Sequence, residues 1–532
     1  MRTIYYGGDI LTMELPLYVQ AVLTENGKIK KVGTKKEILS QRQEGDKVIS
    51  LEGKTMLPAF IDGHSHITSM AQTLGLVNLE GTISFEQIRE KIEKYLSVKK
   101  PKKGEWVMGF GYDHNFLQEK KHPNKFFLDS ITEEFPVLIM HKSGHMGVLN
   151  SYALSKVGIN SETENPEGGL IKRIENSTEP DGYLEEKAMM IASDKVDRPG
   201  KEEIICQLKM AQNIYFENGI TTIQEGLTKQ NEWNLLKYMA DSKEITADIV
   251  SYMDIREKEE LFFENREYHQ VYHNHLKIGG YKLFLDGSPQ GRTAWMSKPY
   301  LGEEENYCGY PIYNDEEVQR FIKKAIREEQ QIIIHCNGDA AAQQMIDSYE
   351  KIQKEEGQKD LRPVMIHAQL VREDQLKRMA RLGMMASFFI AHTYYWGDIH
   401  LQNFGEERAK KISPVKTALK YGVPFTFHQD SPVLFPNMIE TIWCAANRIS
   451  REGKDMGHAE RISTLEALKA ITSIAAYQYR EEDRKGSIKE GKLADFVILD
   501  KNPLEVEKED LKEIRILATI KEDRMVYRAE GF

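Results

Sequence analysis

Six residues of types that can bind metal ions are spread along this 532-residue chain. They are His64, His66, Lys282, His335, His367 and Asp430. Imidazole nitrogens and carboxylate oxygens are ligands that zinc takes in proteins. His64 and His66 form a His-x-His pair, and side chains two positions apart on a strand face the same side. The pair therefore supplies half of a possible zinc site, although such pairs also occur in structural roles.

The other four residues each lie near the end of an apolar run that is typical of a buried strand. His335 and His367 end QIIIHC and PVMIHA and are 32 residues apart, while Asp430 ends VPFTFHQD another 63 residues along. These spacings match one and two units of a barrel with roughly 30 residues per unit. Either histidine alone is more simply a core residue, and Asp430 alone a turn residue. Their recurrence at strand ends favours a shared site.

Lys282 lies inside the apolar run YKLFLD, where an unpaired ammonium group would be costly to bury. One interpretation is a buried salt bridge, with Asp286 as the partner. The other is a lysine carboxylated by carbon dioxide, because the carbamate is an anion whose two oxygens can bridge two metal ions. The residues themselves leave both interpretations open.

Eight apolar runs in the middle of the chain predict the strands that position these side chains. They are 56–62, 220–225, 247–253, 280–286, 331–336, 363–368, 384–390 and 423–430. Helical stretches such as EEVQRFIKKAIREE and EDQLKRMARLG lie between most of them. Near-continuous apolar strands alternating with helices indicate a parallel α/β sheet. Eight of them predict a (β/α)8 TIM barrel, whose strand ends converge on one pocket.

The two ends of the chain have a different sequence pattern, with short alternating strands separated by Asn-Gly, Gly-Lys and Asn-Pro turn signals. They predict a small β-sandwich built from residues 1–55 and 485–532, flanking a barrel over 56–484. About 160 residues separate the first two barrel strands, far more than the roughly 30 of one unit. This gap predicts an inserted α/β subdomain at about 70–205.

Composition narrows the class of partner. The net charge is −10 without a long basic patch, which argues against nucleic acid. No apolar stretch approaches 20 residues and the N-terminus has no apolar signal region, so neither a membrane span nor a signal peptide is expected. The four cysteines form no CxxC pair. We therefore expect a cytoplasmic protein with a small-molecule substrate, for which a homo-oligomer is reasonable.

Several longer motifs resemble those of the binuclear amidohydrolase superfamily, in its YtcJ-like branch (amidohydrolase family 3). They are YKLFLDGSPQGRTAWM, IHCNGDAA, IHAQL, the ERA…SP segment, HQDSPV, SGHMGVLNSYAL and GSIKEGKLADFVILD. The resemblance covers essentially the whole chain, and that branch includes N-substituted formamide deformylases. It implies a barrel with a β-sandwich from both ends, and its members commonly carry zinc.

The resemblance also implies roles for the six ligand candidates. The His-x-His pair and Asp430 would hold the more buried zinc ion, His335 and His367 the other, and carboxylated Lys282 would bridge the two. A hydroxide between two cations is a nucleophile at neutral pH. Asp430 would take its proton as a general base and pass it to the leaving nitrogen as an acid. The predicted activity is hydrolysis of a non-peptide C–N bond in an amide, N-formyl or N-acyl group.

Three further residues are candidates for substrate contact, and two of them, His145 and His392, match family positions. His145 lies in a GHxxxxN segment, Arg292 in GRTAW and His392 after the seventh strand. Each also has a structural interpretation, such as a loop hydrogen bond for His145 or a pinned loop for Arg292. The segments SFFIAHTYYWGD and HQDSP depart from the commonest family wording at the mouth of the pocket. These departures do not affect the six ligand candidates, but they leave the identity of the substrate undetermined.

The sequence also bears on two alternative functions, a deaminase and a non-catalytic barrel. Mononuclear deaminases of cyclic amidines or aminopurines on the same barrel usually carry a Glu three residues after the strand-five histidine. Here that position is Gly338, and Lys282 is present, which disfavours deamination. A non-catalytic scaffold or regulatory barrel would be marked by lost ligands, and none of the six is lost.

Overall fold

The computed structural model describes residues 2–142, 144, 146–196, 200–257, 259–303 and 306–532. The chain divides into two compact units. One contains Met1–Thr68 with Gln212–Phe532, and the other is Ser69–Ala211. Among the described residues, none of the helices combines the length and the apolar character needed to cross a membrane.

The first segment of the chain is mainly β-structure. Its elements are β1 (Arg2–Leu11), β2 (Tyr18–Glu25), β3 (Lys28–Gly33), α1 (Lys35–Leu39), β4 (Lys47–Ser50), β5 (Thr55–Pro58) and β6 (Phe60–Ile61). The β2–β3 hairpin turns at Asn26-Gly27, where both residues have positive φ, as a two-residue type I′ turn requires.

The apolar run 56–62, expected to be one strand, is divided between two sheets. Met56 in β5 pairs with Ile10 and Ile498 of the sheet formed by the chain ends. Phe60 in β6 instead donates its backbone N–H to Gly219 O, at the start of the parallel sheet. The expectation of a single strand is therefore wrong, because the chain changes hydrogen-bonding partners across Ala59.

The unit Ser69–Ala211 has a sheet of its own. Its strands are β7 (Val77–Asn78), β8 (Val107–Tyr112), β9 (Val137–His141), β10 (Met146–Leu149), β11 (Gly169–Arg173) and β12 (Pro180–Glu186), in the order β11-β12-β10-β9-β8-β7. Helices in and at the edges of this region are α2 (Ile67–Leu74), α3 (Phe85–Lys99), α4 (Lys125–Asp129), α5 (Ser151–Val157), α6 (Lys187–Ser193) and α7 (Lys201–Glu217).

Along β9, Leu138 packs into one apolar cluster, while Val137 and Ile139 pack into another. Both faces of this strand are therefore buried.

The larger unit contains the parallel sheet that the alternating pattern predicts. Its strands after β6 are β13 (Ile220–Thr228), β14 (Asp248–Asp254), β15 (Leu276–Phe284), β16 (Gln331–Cys336), β17 (Val364–His367), β18 (Met385–Phe388) and β19 (Phe425–Phe427). Every neighbouring pair is parallel, in the order β19-β18-β17-β16-β15-β14-β13-β6. Gly63 N, just beyond β6, also donates to Phe427 O at the end of β19, at 3.2 Å. A backbone hydrogen bond thus links the first strand to the last.

Helices and short turns connect these strands. The helices are α8 (Gln230–Asp241), α9 (Glu259–Phe263), α10 (Asp315–Arg327), α11 (Asp339–Glu356), α12 (Glu373–Leu382), α13 (His392–Tyr395), α14 (Gly397–Ala409), α15 (Val415–Tyr421), α16 (Met438–Asn447), α17 (Thr464–Ala470) and α18 (Ser473–Gln478). In α10, a capping box between Asn314 and Glu317 starts the helix, and Val318, Ile322 and Ile326 form its buried face.

The chain end returns to the first sheet through β20 (Phe496–Leu499), β21 (Ile516–Lys521) and β22 (Arg524–Arg528). Strand β20 pairs antiparallel with β5, so both ends of the chain share one sheet. Tyr5, Met56 and Phe496 lie in one buried apolar cluster. Burial of this shared apolar surface stabilises the association of the two ends.

Candidate active site and metal centre

Asp430 lies at the centre of the six ligand candidates. Its Oδ1 is 3.4 Å from His66 Nε2 and 3.6 Å from His64 Nε2, and its Oδ2 is 3.8 Å from His367 Nε2. Two ligands on one tetrahedral zinc ion lie about 3.3 Å apart, since Zn–N and Zn–O distances are about 2.0–2.1 Å. The donor atoms therefore have nearly the spacing and the chemistry that a zinc ion requires.

The remaining two candidates extend the same cluster. His335 Nδ1 lies 3.0 Å from His367 Nε2, and Lys282 Nζ lies 3.1 Å from His64 Nε2. Lys282 is fully buried, and His64 is almost so. The structure thus brings all six residues together at the ends of the parallel strands, in a chain of neighbouring donor atoms.

The backbone is unusual at two of these positions. His367 and Asp430 have φ values of 69° and 53°, in the left-handed region that few residues other than glycine adopt. Such conformations persist where the surrounding structure holds them and are concentrated at functional sites. Here they occur where β17 ends and just beyond β19, at the two positions that direct ligand side chains into the cluster.

Residues behind the histidine rings set their orientation. Gln224 Oε1 lies 2.5 Å from His64 Nδ1, on the side away from Asp430. Glu225 Oε1 lies 3.7 Å from His66 Nδ1, and its other oxygen accepts a hydrogen bond from Thr68 N. Partners of this kind fix the tautomer and direction of metal-binding histidines.

Gln224 and Glu225 are absent from the sequence-based site prediction. The signal was available, because both are polar residues near the end of an apolar strand, as the six candidates are. The next residue, Gly226, lies close to the ring of His64: a Cβ added at Gly226 would lie 2.5 Å from His64 Cε1. Glycine there leaves room for the ring.

His428 supports a different ring. Its Nε2 lies 3.2 Å from His367 Nδ1, and its Nδ1 lies 2.8 Å from Ser387 Oγ. It is fully buried. The arrangement Ser387–His428–His367 therefore continues the hydrogen-bonded support beneath the cluster.

Burial keeps most of the imidazoles neutral, which is the form that binds metals. It lowers the pKa of His64 and His367 well below the usual value and that of His335 to about 4, with the charge of Lys282 adding to the effect at His64 and His335. His66 differs: burial opposes its protonation, but the neighbouring carboxylates of Asp430 and Glu225 raise its pKa to about 9.

Asp430 is ionised over the whole neutral range. Burial by itself would raise its pKa, but the nearby rings of His66, His64 and His367 hold the pKa well below its usual value. The site therefore combines an anionic carboxylate with the neutral imidazoles of His64, His335 and His367, which are donors that suit a divalent cation.

The environment of Lys282 bears on its two interpretations. Asp286 accepts hydrogen bonds from the backbone N–H groups of Trp295, Asn337 and Gly338, at 2.7–3.0 Å. Lys282 is instead directed at His64. Burial lowers the pKa of Lys282 to about 7, against the opposing charge of Asp430. A substantial fraction of the amine is then neutral at pH 7, and the neutral amine is the form that adds carbon dioxide.

The structure gives a different result for each of the three residues predicted to contact the substrate. His145 lies outside the described residues. The guanidinium of Arg292 pairs with Glu303 and donates from Nε to Asn403 Oδ1 at 2.9 Å, which favours the loop-pinning interpretation. His392 is buried, and its ring centre lies 6.4 Å from that of His367. Its position beside the cluster is compatible with substrate contact, which stays a prediction.

A parallel α/β sheet with histidines, a lysine and an aspartate at its strand ends defines a class of metal-dependent hydrolases. The model of the amidohydrolase family matches residues 47–527, so the chain belongs to this family and is a hydrolase acting on carbon–nitrogen bonds. The sequence-based resemblance is thereby confirmed.

Curated relatives span almost the full chain. The protein LONG AFTER FAR-RED 3 of Arabidopsis thaliana is 29% identical over 98% of this chain and 90% of its own length. The putative amidohydrolase YtcJ of Bacillus subtilis is 26% identical over 99% of each chain. The N-substituted formamide deformylase of Arthrobacter pascens is 26% identical over 96% of this chain and 95% of its own length.

A solved structure agrees with this assignment. The crystal structure of an uncharacterized metal-dependent hydrolase from Pyrococcus horikoshii superposes with a TM-score of 0.77 at 25% identity. The match covers 96% of this chain and 99% of the other. Both the fold and the family therefore identify a metal-dependent hydrolase.

Proposed function

We propose that this amidohydrolase cleaves a non-peptide amide, N-formyl or N-acyl bond with the help of two divalent metal ions. The observation that carries the proposal is the position of Asp430, whose two oxygens lie 3.4–3.8 Å from three imidazole nitrogens. Zinc is the favoured ion because neutral imidazoles and a carboxylate dominate the donor set.

The proposed ligands divide into two groups around Lys282. His64, His66 and Asp430 would hold one ion, and His335 and His367 would hold the other. Lys282, as its carbamate, would bridge them, which is supported by its burial and by the absence of an ion pair with Asp286 among the described residues. When bound, such ions lower the pKa of water and polarise a carbonyl group.

The protein's own proton chemistry centres on Asp430. Its low pKa leaves it ionised and able to accept a proton from the attacking water. The same carboxyl group would then deliver that proton to the leaving nitrogen, which is a poor leaving group as an anion. His66, held by Glu225, keeps the carboxylate oriented during both transfers.

The proposed architecture is a closed (β/α)8 barrel over residues 56–484, interrupted by a subdomain at about 70–205, with a β-sandwich from residues 1–55 and 485–532. The Gly63–Phe427 hydrogen bond supports closure, and the pairing of β20 with β5 supports the shared terminal domain. A cytoplasmic location, a small-molecule substrate and a homo-oligomeric state remain part of the proposal.

Deamination is the less favoured activity on structural grounds. Deaminases on this barrel usually carry a glutamate at the position of Gly338, but a Cβ there would lie 1.9 Å from the backbone oxygen of Trp295. That contact is far below any real Cβ separation, so this backbone excludes a side chain at the position. The N-substituted formamide deformylase among the relatives favours an N-formyl group as the first substrate class to test.

The test is an activity screen with metal-loaded protein. Matched N-alkyl and N-aryl formamides and acetamides are compared with an aminopurine, and release of amine or ammonia is measured. We expect amine release from at least one amide series, dependent on added zinc. Ammonia from the aminopurine without amide cleavage, or full activity in protein shown to be metal-free, would overturn the proposal.

A further inference from the structure

The unit Ser69–Ala211 contains a second cluster of metal-binding side chains. Strands β8 and β9 run parallel, with Tyr112 opposite His141 at their ends. Asp113 and His114 follow β8 immediately, so three potential ligands lie at the carboxyl ends of two neighbouring strands. This is the edge of a parallel sheet at which ligands commonly bind.

The donor atoms of this cluster converge. Asp113 Oδ1 lies 3.4 Å from His141 Nε2 and 3.9 Å from His114 Nδ1, and the three donor atoms all lie within 4.8 Å of one another. Ligands on one tetrahedral zinc ion are about 3.3 Å apart. Small side-chain movements would therefore bring all three atoms to ligand distance.

One donor atom in the cluster has no hydrogen-bond partner among the described residues. His114 Nδ1 is buried, yet it makes no hydrogen bond within the part of the chain that the structure describes. A buried polar atom without a protein partner is costly, and a metal ion bound between these side chains would satisfy it. Its nearest anionic neighbour is Asp113 Oδ1 at 3.9 Å, beyond hydrogen-bond range.

Neighbouring groups hold two of the three ligands, Asp113 and His114, in place. Asn115 donates to Asp113 Oδ1 from its backbone N and from Nδ2, at 2.9 and 3.0 Å. The ring of His122 stacks on His114 with centres 3.9 Å apart, and Tyr112 OH hydrogen-bonds to His122 Nδ1 at 3.0 Å. Such outer contacts orient ligands around metal ions.

We propose that Asp113, His114 and His141 form a further binding site for a divalent transition metal such as zinc, separate from the six ligands of the larger unit. Two imidazoles and one carboxylate leave at least one coordination position for water or an anionic ligand. Asp248, His275 and Glu522 form another acid–histidine group. We do not propose a metal site there, because Asp248 is already paired with Lys485 and Lys521.

The first test counts metal ions in the full-length protein. Metal-stripped protein is equilibrated with buffered zinc, and zinc per chain is measured for the wild type, Asp113→Asn/His114→Gln and the control His458→Ala. His458 is a matched control because it is an exposed histidine beside an aspartate, 3.3 Å from Asp455. We expect the double variant to bind one zinc fewer per chain and the control to match the wild type.

A second measurement separates this site from the proposed active site. The variant His64→Ala/His66→Ala is loaded with cobalt(II), and the visible absorption bands are recorded with and without Asp113→Asn/His114→Gln. We expect bands that survive the loss of His64 and His66 and disappear with Asp113 and His114. If the larger unit binds no metal, only the second pair of substitutions changes the spectrum.

Two outcomes would overturn this proposal. One is equal zinc content in the wild type and Asp113→Asn/His114→Gln at every free-zinc concentration. The other is a cobalt spectrum abolished by the loss of His64 and His66 alone. Because both substituted side chains are only partly buried, the double variant should remain folded. The single variant His114→Gln provides a milder check, because loss of a ligand should lower zinc affinity at this site at least as much as loss of an outer-shell partner does, about 10-fold or more.

Discussion

Glu225 lies behind His66, with its Oε1 3.7 Å from the ring nitrogen Nδ1, while the opposite nitrogen faces Asp430 at 3.4 Å. His66 is thus held between two carboxylates, one directed into the cluster and one supporting it. Glu225 is 1% exposed, and its second oxygen is fixed by the backbone N–H of Thr68. The geometry makes Glu225 a positioning residue for His66.

Glu225→Gln should weaken zinc binding and lower activity about 10- to 100-fold, as loss of an outer-shell partner typically does. Glutamine keeps the size and the contact to Thr68 but removes the charge. The measurement is kcat/KM as a function of free zinc, with Glu217→Gln, an exposed residue, as the control. A zinc dependence identical to that of the wild type would contradict the positioning role.

Asp430→Asn should lower turnover by about 100- to 10,000-fold, because asparagine cannot accept and return the proton. The fold should persist, since the amide has the same shape. Single-turnover rates and thermal unfolding are measured together on zinc-loaded protein. Turnover within twofold of the wild type would exclude Asp430 as the general base.

Lys282→Ala should impair both metal content and activity, because the bridging carbamate would be lost. Formate, acetate or propionate added to this variant should restore part of the activity by supplying a small carboxylate. In the wild type, protein prepared with ¹³C-bicarbonate should show a carbamate carbon signal that Lys282→Ala lacks. Unchanged metal content and activity in Lys282→Ala would refute carboxylation.

A buried charge network joins the parallel sheet to the C-terminal segment and predicts acid sensitivity. Glu481 contacts Lys277 at 2.5 Å and Lys485 at 2.8 Å, and Lys485 also pairs with Asp248. Burial opposes ionisation of both acids, but the lysines hold the pKa of Asp248 well below its usual value and that of Glu481 at about 2.

Both acids have pKa values that are lower in the folded than in the unfolded protein. Their contribution to stability is therefore present above the unfolded pKa and is lost as the pH falls toward the folded pKa, from about pH 5 downward. Glu481→Gln should destabilise the protein by about 3–5 kcal/mol at neutral pH, because it leaves buried lysines underpaired. Its stability should also depend less on pH in the acid range.

The measurement is the denaturation midpoint between pH 7 and pH 3 for the wild type, Glu481→Gln and Glu505→Gln, an exposed control. We expect the wild-type and control curves to coincide and to converge toward the Glu481→Gln curve in acid. Parallel curves for the wild type and Glu481→Gln would show that Glu481 does not contribute to the acid sensitivity.

Residue type and strand periodicity were enough to indicate the chemistry of this protein. Ligand side chains at the ends of apolar strands, one or two units apart, identify both a parallel α/β sheet and a metal centre, because these patterns are local in the chain. The same local patterns led to the amidohydrolase family. They did not decide whether Lys282 forms a salt bridge or is carboxylated, because the sequence of a buried strand does not show which group the lysine contacts.

Only the tertiary structure decided which atoms meet. Gln224 orients His64 across 160 residues of chain, and Lys282 is directed at His64, whereas Asp286 is engaged by backbone groups. The division of the run 56–62 between two sheets likewise depends on strands formed near residues 219 and 498. Such contacts follow from long-range packing and hydrogen bonding, which a single stretch of sequence does not encode.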